Sequence, residues 1–372
     1  MDGYAARAED VRGATAEHPR ELRIIETIPA GAFPEREIAP GECARIFTGA
    51  PLPQGADSVV RQEDTEQSGD VVRIRSGRDA GVNIRHTGED VRKGATVLEE
   101  GALLEPAAIG VLASLAVAHP VVYRRPRVGI LGSGDEIVDV DRGDEIRSGR
   151  KVASSNTHTL IALVTQAGGI PVNLGIARDT RDSMREHLER ASDCDLIVTT
   201  AGISVGEHDH VLGALEDMGL DLKFWKLRMR PGAPVGFGTL PGGLPWIGLP
   251  GNPVSTMVTF ELFVRPAIRK MMGHTLPFRR AVQVTVSEKI TLGPKLQHFL
   301  RAIVEYPGYE SARPPVCPSA RLTGPQGSGI LTSMVKANAL LIIPEGQHET
   351  PAGASASAIV LNDPSHVGEP VF

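Results

Sequence analysis

The chain is poor in cysteine: Cys43, Cys194 and Cys317 are the only three in 372 residues. They lie far apart and no CxxC pair exists, which argues against a disulfide framework and against a zinc site. A reducing, cytoplasmic home fits that usage. Long apolar runs are missing too. None approaches the ~20 residues that cross a bilayer, so no membrane association is expected. The opening Met1-Asp2-Gly3-Tyr4-Ala5 lacks the basic flank and apolar core of a signal peptide. Positive charge is in deficit, with a net charge of -6, which disfavours nucleic acid as a partner. No GxxxxGK[ST], GxGxxG or GxSxG pattern occurs, which argues against a P-loop NTPase, an NAD enzyme and an α/β-hydrolase.

Glycine and proline are plentiful, at 41 and 28 residues, while aromatics make up 4%. That mixture suits many short strands and tight loops. The length calls for two to four domains. Residues 4–90 read as a β-rich lobe, with strands at 22–28 and 44–47. Residues 58–63 and 71–75 read as a hairpin around Gln67-Ser68-Gly69-Asp70. Residues 1–3 and 91–124 read as the remainder of that first lobe, with a helix starting at Glu105-Pro106 and a short strand at 121–123.

From Val128 strands alternate with helices. Strands are expected at 128–131, 171–176, 195–198, 221–227 and 246–249. Helices are expected at 157–166 (capped by Asn156 and ended by Gly168-Gly169), 181–191, 211–218 and 255–272. The fold class is therefore α/β plus β. A doubly wound, mostly parallel α/β domain over 125–274 is flanked by the β-rich N-terminal lobe and a small C-terminal β domain over 279–372.

In such a sheet ligands bind where strands end at their carboxyl side. The chain concentrates its polar loops there. After the strand at 195–198 comes Gly202-Ile203-Ser204-Val205-Gly206-Glu207-His208-Asp209. A glycine-rich turn opening a helix offers free N–H groups and a positive dipole end to an anion. Carboxylates beside an anion site suggest a metal bridging to phosphate. The plainer reading is a strand-to-helix turn capped by Asp209. Other strand-end loops bring Asp135, Glu136 and Asp179, and another brings Lys226, Arg228 and Arg230. Gly248-Leu249-Pro250-Gly251-Asn252-Pro253 is stiffened by two prolines and suits a flat ligand, or simply turns the chain into a helix. His208 and His210 lack metal-type spacing and read as surface residues.

The pattern Met1-Asp2-Gly3-Tyr4-Ala5, Phe47-Thr48-Gly49-Ala50-Pro51-Leu52-Pro53-Gln54-Gly55-Ala56-Asp57, Asn83-Ile84-Arg85 with Gly88-Glu89-Asp90, Gly134-Asp135-Glu136, Gly202 to Asp209 and 248–255 resembles the molybdopterin molybdenumtransferase family, MoeA and the gephyrin E domain. The resemblance runs along essentially the whole chain. It implies a Mg²⁺-dependent enzyme that takes adenylylated molybdopterin and molybdate and releases AMP with the molybdenum-loaded cofactor. It also implies a four-part homodimer, with possible contact to a molybdopterin adenylyltransferase.

By the family's motifs, Glu136 and Asp209 are the expected Mg²⁺ ligands, and with Lys226 and Arg230 they are the expected catalytic groups. Asp179, Gly202, Ser204, Gly206, Pro250, Gly251 and Pro253 would bind substrate. Arg301 and Ser328 would hold the oxyanion. Asp2, Thr48 and Asp90 would be offered by the partner's lobe. Arg230 stands where a Lys is common, which trades a point donor for a fork. Ala233 replaces another frequent Lys. The family motif usually lies some tens of residues into the chain, so part of the first lobe is expected to precede Met1. A molybdopterin adenylyltransferase of the MogA kind and a gephyrin-like scaffold are the alternative functions.

Overall fold

The computed structural model describes residues 1–201, 210–293, 295–306 and 317–362. The chain forms two compact units, residues 1–97 and 98–372.

In the first unit, β1 (Gly3–Ala6), β2 (Arg20–Ile28), β3 (Glu42–Ile46), β4 (Ser58–Arg61), β5 (Thr65–Ser68) and β6 (Val71–Ile74) build one sheet in the order β4-β1-β3-β2-β6-β5. A short helix, α1 (Ala8–Val11), follows β1. Every residue of β1 is buried, because this strand is flanked on both edges by β3 and β4. The expected hairpin forms with a different partner. Val71 faces Ser68 of β5 across the turn Gly69-Asp70, with Gly69 at φ 64. Ser58, Val59 and Val60 are buried and pair with β1 instead. The polar β5 is left to serve as an exposed edge.

The second unit opens with α2 (Pro106–Ser114), none of whose residues is buried. The strand expected at 121–123 does not form. Val121, Val122 and Tyr123 are exposed, so no burial drives pairing there.

Next come β7 (Arg127–Ser133), β8 (Ile137–Val138), α3 (Gly143–Arg147), β9 (Val152–Ala153), α4 (Ser155–Ala167), β10 (Ile170–Ala177), α5 (Arg181–Glu189), β11 (Leu196–Thr200), α6 (His210–Asp217), β12 (Asp221–Trp225), β13 (Met229–Arg230), β14 (Gly236–Leu240) and β15 (Leu244–Leu249). The main sheet has the order β10-β7-β11-β15-β14-β12. β10, β7, β11 and β15 run parallel, and β14 runs against them. β12 pairs antiparallel with β14 and so points along with β15. Strand β14 escaped the sequence reading because Gly236 and Gly238 dilute its apolar pattern.

The strands alternate faces as a period of two requires. Val128, Ile130, Leu196, Val198, Ile247 and Leu249 pack beneath α4, α7 (Pro253–Thr259) and α8 (Arg265–Met271). Leu131, Ile197 and Trp246 pack on the other side with Met184 and Leu188 of α5 and Leu215 of α6. A π-helical turn at Phe260–Val264 joins α7 to α8. Helix α4 begins two residues earlier than Asn156 as cap would require, with Ser154 at the cap position and Asn156 inside the helix. It ends at Gly168, whose φ of 99 suits a residue without Cβ.

The last part is a small barrel of β16 (Ala281–Val286), β17 (Ile290–Thr291), β18 (Gln297–Glu305), β19 (Ser319–Leu322), α9 (Thr332–Lys336), β20 (Ala339–Ile343), β21 (Glu349–Thr350) and β22 (Ser355–Val360). β18 pairs with both β19 and β20, which closes the ring through β16 and β22 and leaves few open edges. Its core is Val284, Leu300, Val304, Leu341 and their neighbours. β13 adds to this barrel, not to the main sheet: Met229 faces Gln297 and Arg230 faces His298. Among the described residues no helix is long and apolar enough to cross a membrane.

Candidate functional site

Because β7, β10, β11, β12 and β15 point the same way, their carboxyl ends share one edge. Among the described residues, the loops that follow β7, β10, β12 and β15 lie along it. After β10, Asp179 is half-buried. Its N–H donates to Asp135 Oδ1 at 3.3 Å, and the Asp135 N–H donates to Asp179 Oδ2 at 3.2 Å. Lys151 Nζ donates to the Asp135 carbonyl at 2.5 Å.

Glu136 follows β7 in an exposed turn. Gly134, at φ 132, makes this turn possible, since a residue with a Cβ rarely adopts that backbone conformation. Among the described residues the Glu136 carboxylate has no hydrogen-bond or ion-pair partner, while its carbonyl accepts from Val152 N–H. A free carboxylate at a strand end offers hard oxygen ligands to a cation such as Mg²⁺. No group of three or more His, Cys, Asp or Glu able to hold a metal exists among the described residues. Gly202, Ser204, Gly206 and Asp209 lie outside the described residues.

The ends of β11 and β15 are knitted by residues the sequence reading overlooked or misassigned. Ser133 Oγ donates to the Thr200 carbonyl at 3.3 Å. Asn156 Nδ2 donates to Thr200 Oγ1 at 3.2 Å and to the Gly251 carbonyl at 2.7 Å. Asn before a periodic run signals a helix cap, and that local signal hid a long-range role. Pro250 is buried, and its carbonyl accepts from Thr256 Oγ1 at 2.6 Å. Pro253 opens α7, and the neighbouring Val254 N–H donates to the Ser328 carbonyl at 3.1 Å.

Lys226 follows β12 in a left-handed conformation, φ 69, with Nζ 4.5 Å from the centre of the Trp225 ring. Arg228 pairs with Glu345 of the barrel. Arg230 is exposed on β13, laddered to β18, the strand that carries Arg301 three positions beyond its partner His298. Arg301 is 1% exposed. Its Nε donates to Ser333 Oγ at 3.0 Å and its Nη2 to the Gly327 carbonyl at 3.0 Å, next to Ser328. Burial pulls its pKa below the ordinary arginine value. The guanidinium therefore braces the 327–328 loop, which in turn receives the start of α7.

Asp2, Thr48 and Asp90 belong to the first unit. Asp2 Oδ1 accepts from both Thr48 N–H and Thr48 Oγ1, each at 2.9 Å. Those two bonds, backbone first, hold the Asp2 carboxyl below its usual pKa. Asp90 is exposed. The cavities found elsewhere, about 250 Å³ around Arg265, Arg279 and Tyr306 and about 390 Å³ around Arg124, Asp195 and Pro245, include none of the expected site residues.

An α/β domain whose strand-end loops carry acids and bases, followed by a barrel that contributes a braced arginine, matches a known class. Residues 129–270 match a probable molybdopterin binding domain, residues 1–116 the MoeA N-terminal region (domain I and II) and residues 283–361 the MoeA C-terminal region (domain IV). The chain belongs to the molybdopterin molybdenumtransferase family. Molybdopterin molybdenumtransferase 2 of Mycobacterium tuberculosis is 37% identical over 95% of this chain and 85% of its own length. The molybdopterin molybdenumtransferase of a Nostoc strain is 34% identical over 98% of this chain and 82% of its own. A crystal structure of the molybdopterin biosynthesis MoeA protein from Pyrococcus horikoshii superposes with a TM-score of 0.76 at 30% identity, covering 97% of this chain and 86% of that one.

Proposed function

We propose that this chain is a transferase that moves molybdenum from molybdate to adenylylated molybdopterin and releases AMP. The observation that carries the reading is the gathering of Glu136, Asp179, Lys226 and the 250–253 loop along one strand-end edge. Arg230 is added from the barrel side, on β13, which is laddered to the strand bearing Arg301.

The pterin nucleotide lies along the strand ends, on the N–H groups of Gly202, Ser204 and Gly206 and the flat surface of Pro250, Gly251 and Pro253. Asp179 holds its polar edge. Lys226 and Arg230 neutralise the pyrophosphate linkage, and Arg301 with Ser328 holds molybdate near it. Glu136 and Asp209 would hold Mg²⁺, which when bound supplies charge neutralisation to the phosphate of AMP as it leaves. The Glu136 carboxylate, unpaired among the described residues, suits a cation that binds one or two carboxylates plus phosphate oxygens. The chain thus mainly positions reactants and stabilises charge, and forms no covalent intermediate. Two copies act as a homodimer, Asp2, Thr48 and Asp90 of each completing the cleft of the other. A cytoplasmic location and hand-over from a molybdopterin adenylyltransferase complete the reading.

The test is product analysis of two mixtures, adenylylated molybdopterin with molybdate and molybdopterin with ATP, each with and without Mg²⁺. Loaded cofactor plus AMP, formed only with Mg²⁺, is the expected outcome. An adenylylated product made from ATP, or no turnover, would overturn it.

A further inference from the structure

The 250–253 loop is attached at both ends. On the barrel side the Val254 N–H is held by the Ser328 carbonyl. On the α/β side the Gly251 carbonyl is held by Asn156 Nδ2 at 2.7 Å, and the same nitrogen donates to Thr200 Oγ1 at 3.2 Å. An amide nitrogen has two hydrogens, so both are committed, one to the end of β11 and one to the 250–253 loop. No other side chain among the described residues donates to the Gly251 carbonyl. Backbone Ala201 N–H adds one bond to the Leu249 carbonyl, inside the sheet. Asn156 sits in the first turn of α4, whose Leu160 and Val164 are fully buried against the sheet, so the amide projects from a rigid base.

The space at the junction is tight. A Cβ on Gly251 would stand 3.2 Å from the Cβ of Ala201, which itself has φ 68. A strand end and a loop that approach this closely must keep a fixed register if a ligand is to touch both.

We propose that Asn156 is a positioning residue for the transfer reaction: it locks the 250–253 loop to the end of β11, so that this loop meets the pterin nucleotide in one fixed geometry relative to the strand end. It acts through the Gly251 carbonyl and the Thr200 hydroxyl. The proposal rests on the reading of this edge as the pterin-nucleotide site.

Asn156→Ala removes both bonds, and Asn156→Asp keeps the shape while replacing the donor by an acceptor. Misplacing reactants by about 1 Å can cost on the order of 100-fold. Both variants should therefore lose roughly 10- to 100-fold in kcat/KM, mostly in kcat, while a folded fraction near that of the wild type persists in thermal melts. Thr200→Val, which deletes one acceptor, should lose less, and adding it to Asn156→Ala should cost little more than Asn156→Ala alone.

Full kcat in Asn156→Ala overturns the proposal. So does a loss that merely tracks the unfolded fraction, or strict additivity with Thr200→Val. Asp179→Ala, which removes a side chain that does not touch Asn156, tests the underlying site reading separately. If it binds adenylylated molybdopterin as the wild type does, the assignment of the edge fails. If it weakens binding while Asn156→Ala turns over normally, only the role of Asn156 fails.

Discussion

Asp135 and Asp179 hold each other's main chain, each carboxylate accepting the other's backbone N–H at 3.2 to 3.3 Å. The ends of β7 and β10 are thereby tied, and one oxygen of each carboxylate is committed to the turn before any substrate arrives. Asp135→Ala should therefore weaken pterin-nucleotide binding although Asp135 need not touch the ligand. A drop of roughly 5- to 10-fold is expected, about one hydrogen bond's worth. Asp179→Asn keeps an acceptor for the Asp135 N–H and should leave the melting temperature unchanged while nucleotide affinity falls. Calorimetric titration checks both. Wild-type affinity in Asp135→Ala would show that the pair does not shape the site.

The shared cleft can be tested by mixing. Asp90→Asn and Asp209→Asn alter residues assigned to different parts of the site, and each homodimer should be inactive in Mg²⁺-dependent AMP release. Mixed dimers should recover part of the activity, because one of their two clefts keeps both aspartates. Confirmed subunit exchange without recovery would count against a site built from two copies.

Arg301→Ala should weaken molybdate binding about 10- to 150-fold, the equivalent of one hydrogen bond to a charged group. Nucleotide affinity should barely change. The arginine is buried and braces Gly327 and Ser333, so a fall in melting temperature is also expected. Separate titration of each ligand on the folded variant decides the matter. Equal loss of both ligands would contradict the two-subsite picture.

The Asp2 carboxyl, ordinarily near 3.8, is held lower in the folded protein by the Thr48 N–H and hydroxyl. A depressed folded-state value means that these bonds contribute stability above the unfolded pKa, and lose it as pH falls through the folded one. The Thr48 turn should therefore be intact at neutral pH and loosen only below about pH 4. Thr48→Ala should move the Asp2 titration midpoint, read by carboxyl NMR, back up toward 3.8. An unmoved midpoint would mean that the hydroxyl has no part in the shift, leaving the Thr48 N–H as its cause.

Much of the architecture was legible because it is written locally. The alternation in β7 and β11 that splits Ile130 from Leu131 and Val198 from Ile197 between two cores is a period of two along the chain. The stop at Gly168 needs only one residue free to adopt φ 99. Once those strands and helices follow one another, a parallel sheet with its polar loops at one edge is nearly forced, and Glu136, Asp179 and Lys226 fall there.

Tertiary structure decided the pairings and roles that depend on a distant partner. Nothing near Met229-Arg230 announces that β13 will anneal to β18 beside His298 instead of joining the main sheet. Ser58–Arg61 looked like one arm of a hairpin, but its buried residues found β1. Asn156 carries the local signature of a cap, yet its amide reaches Thr200 and Gly251. Hydrophobic periodicity tells a segment which face to bury, whereas strand partners and hydrogen-bond acceptors are chosen by what the folded chain brings across the gap. A short-range pattern holds no record of that choice.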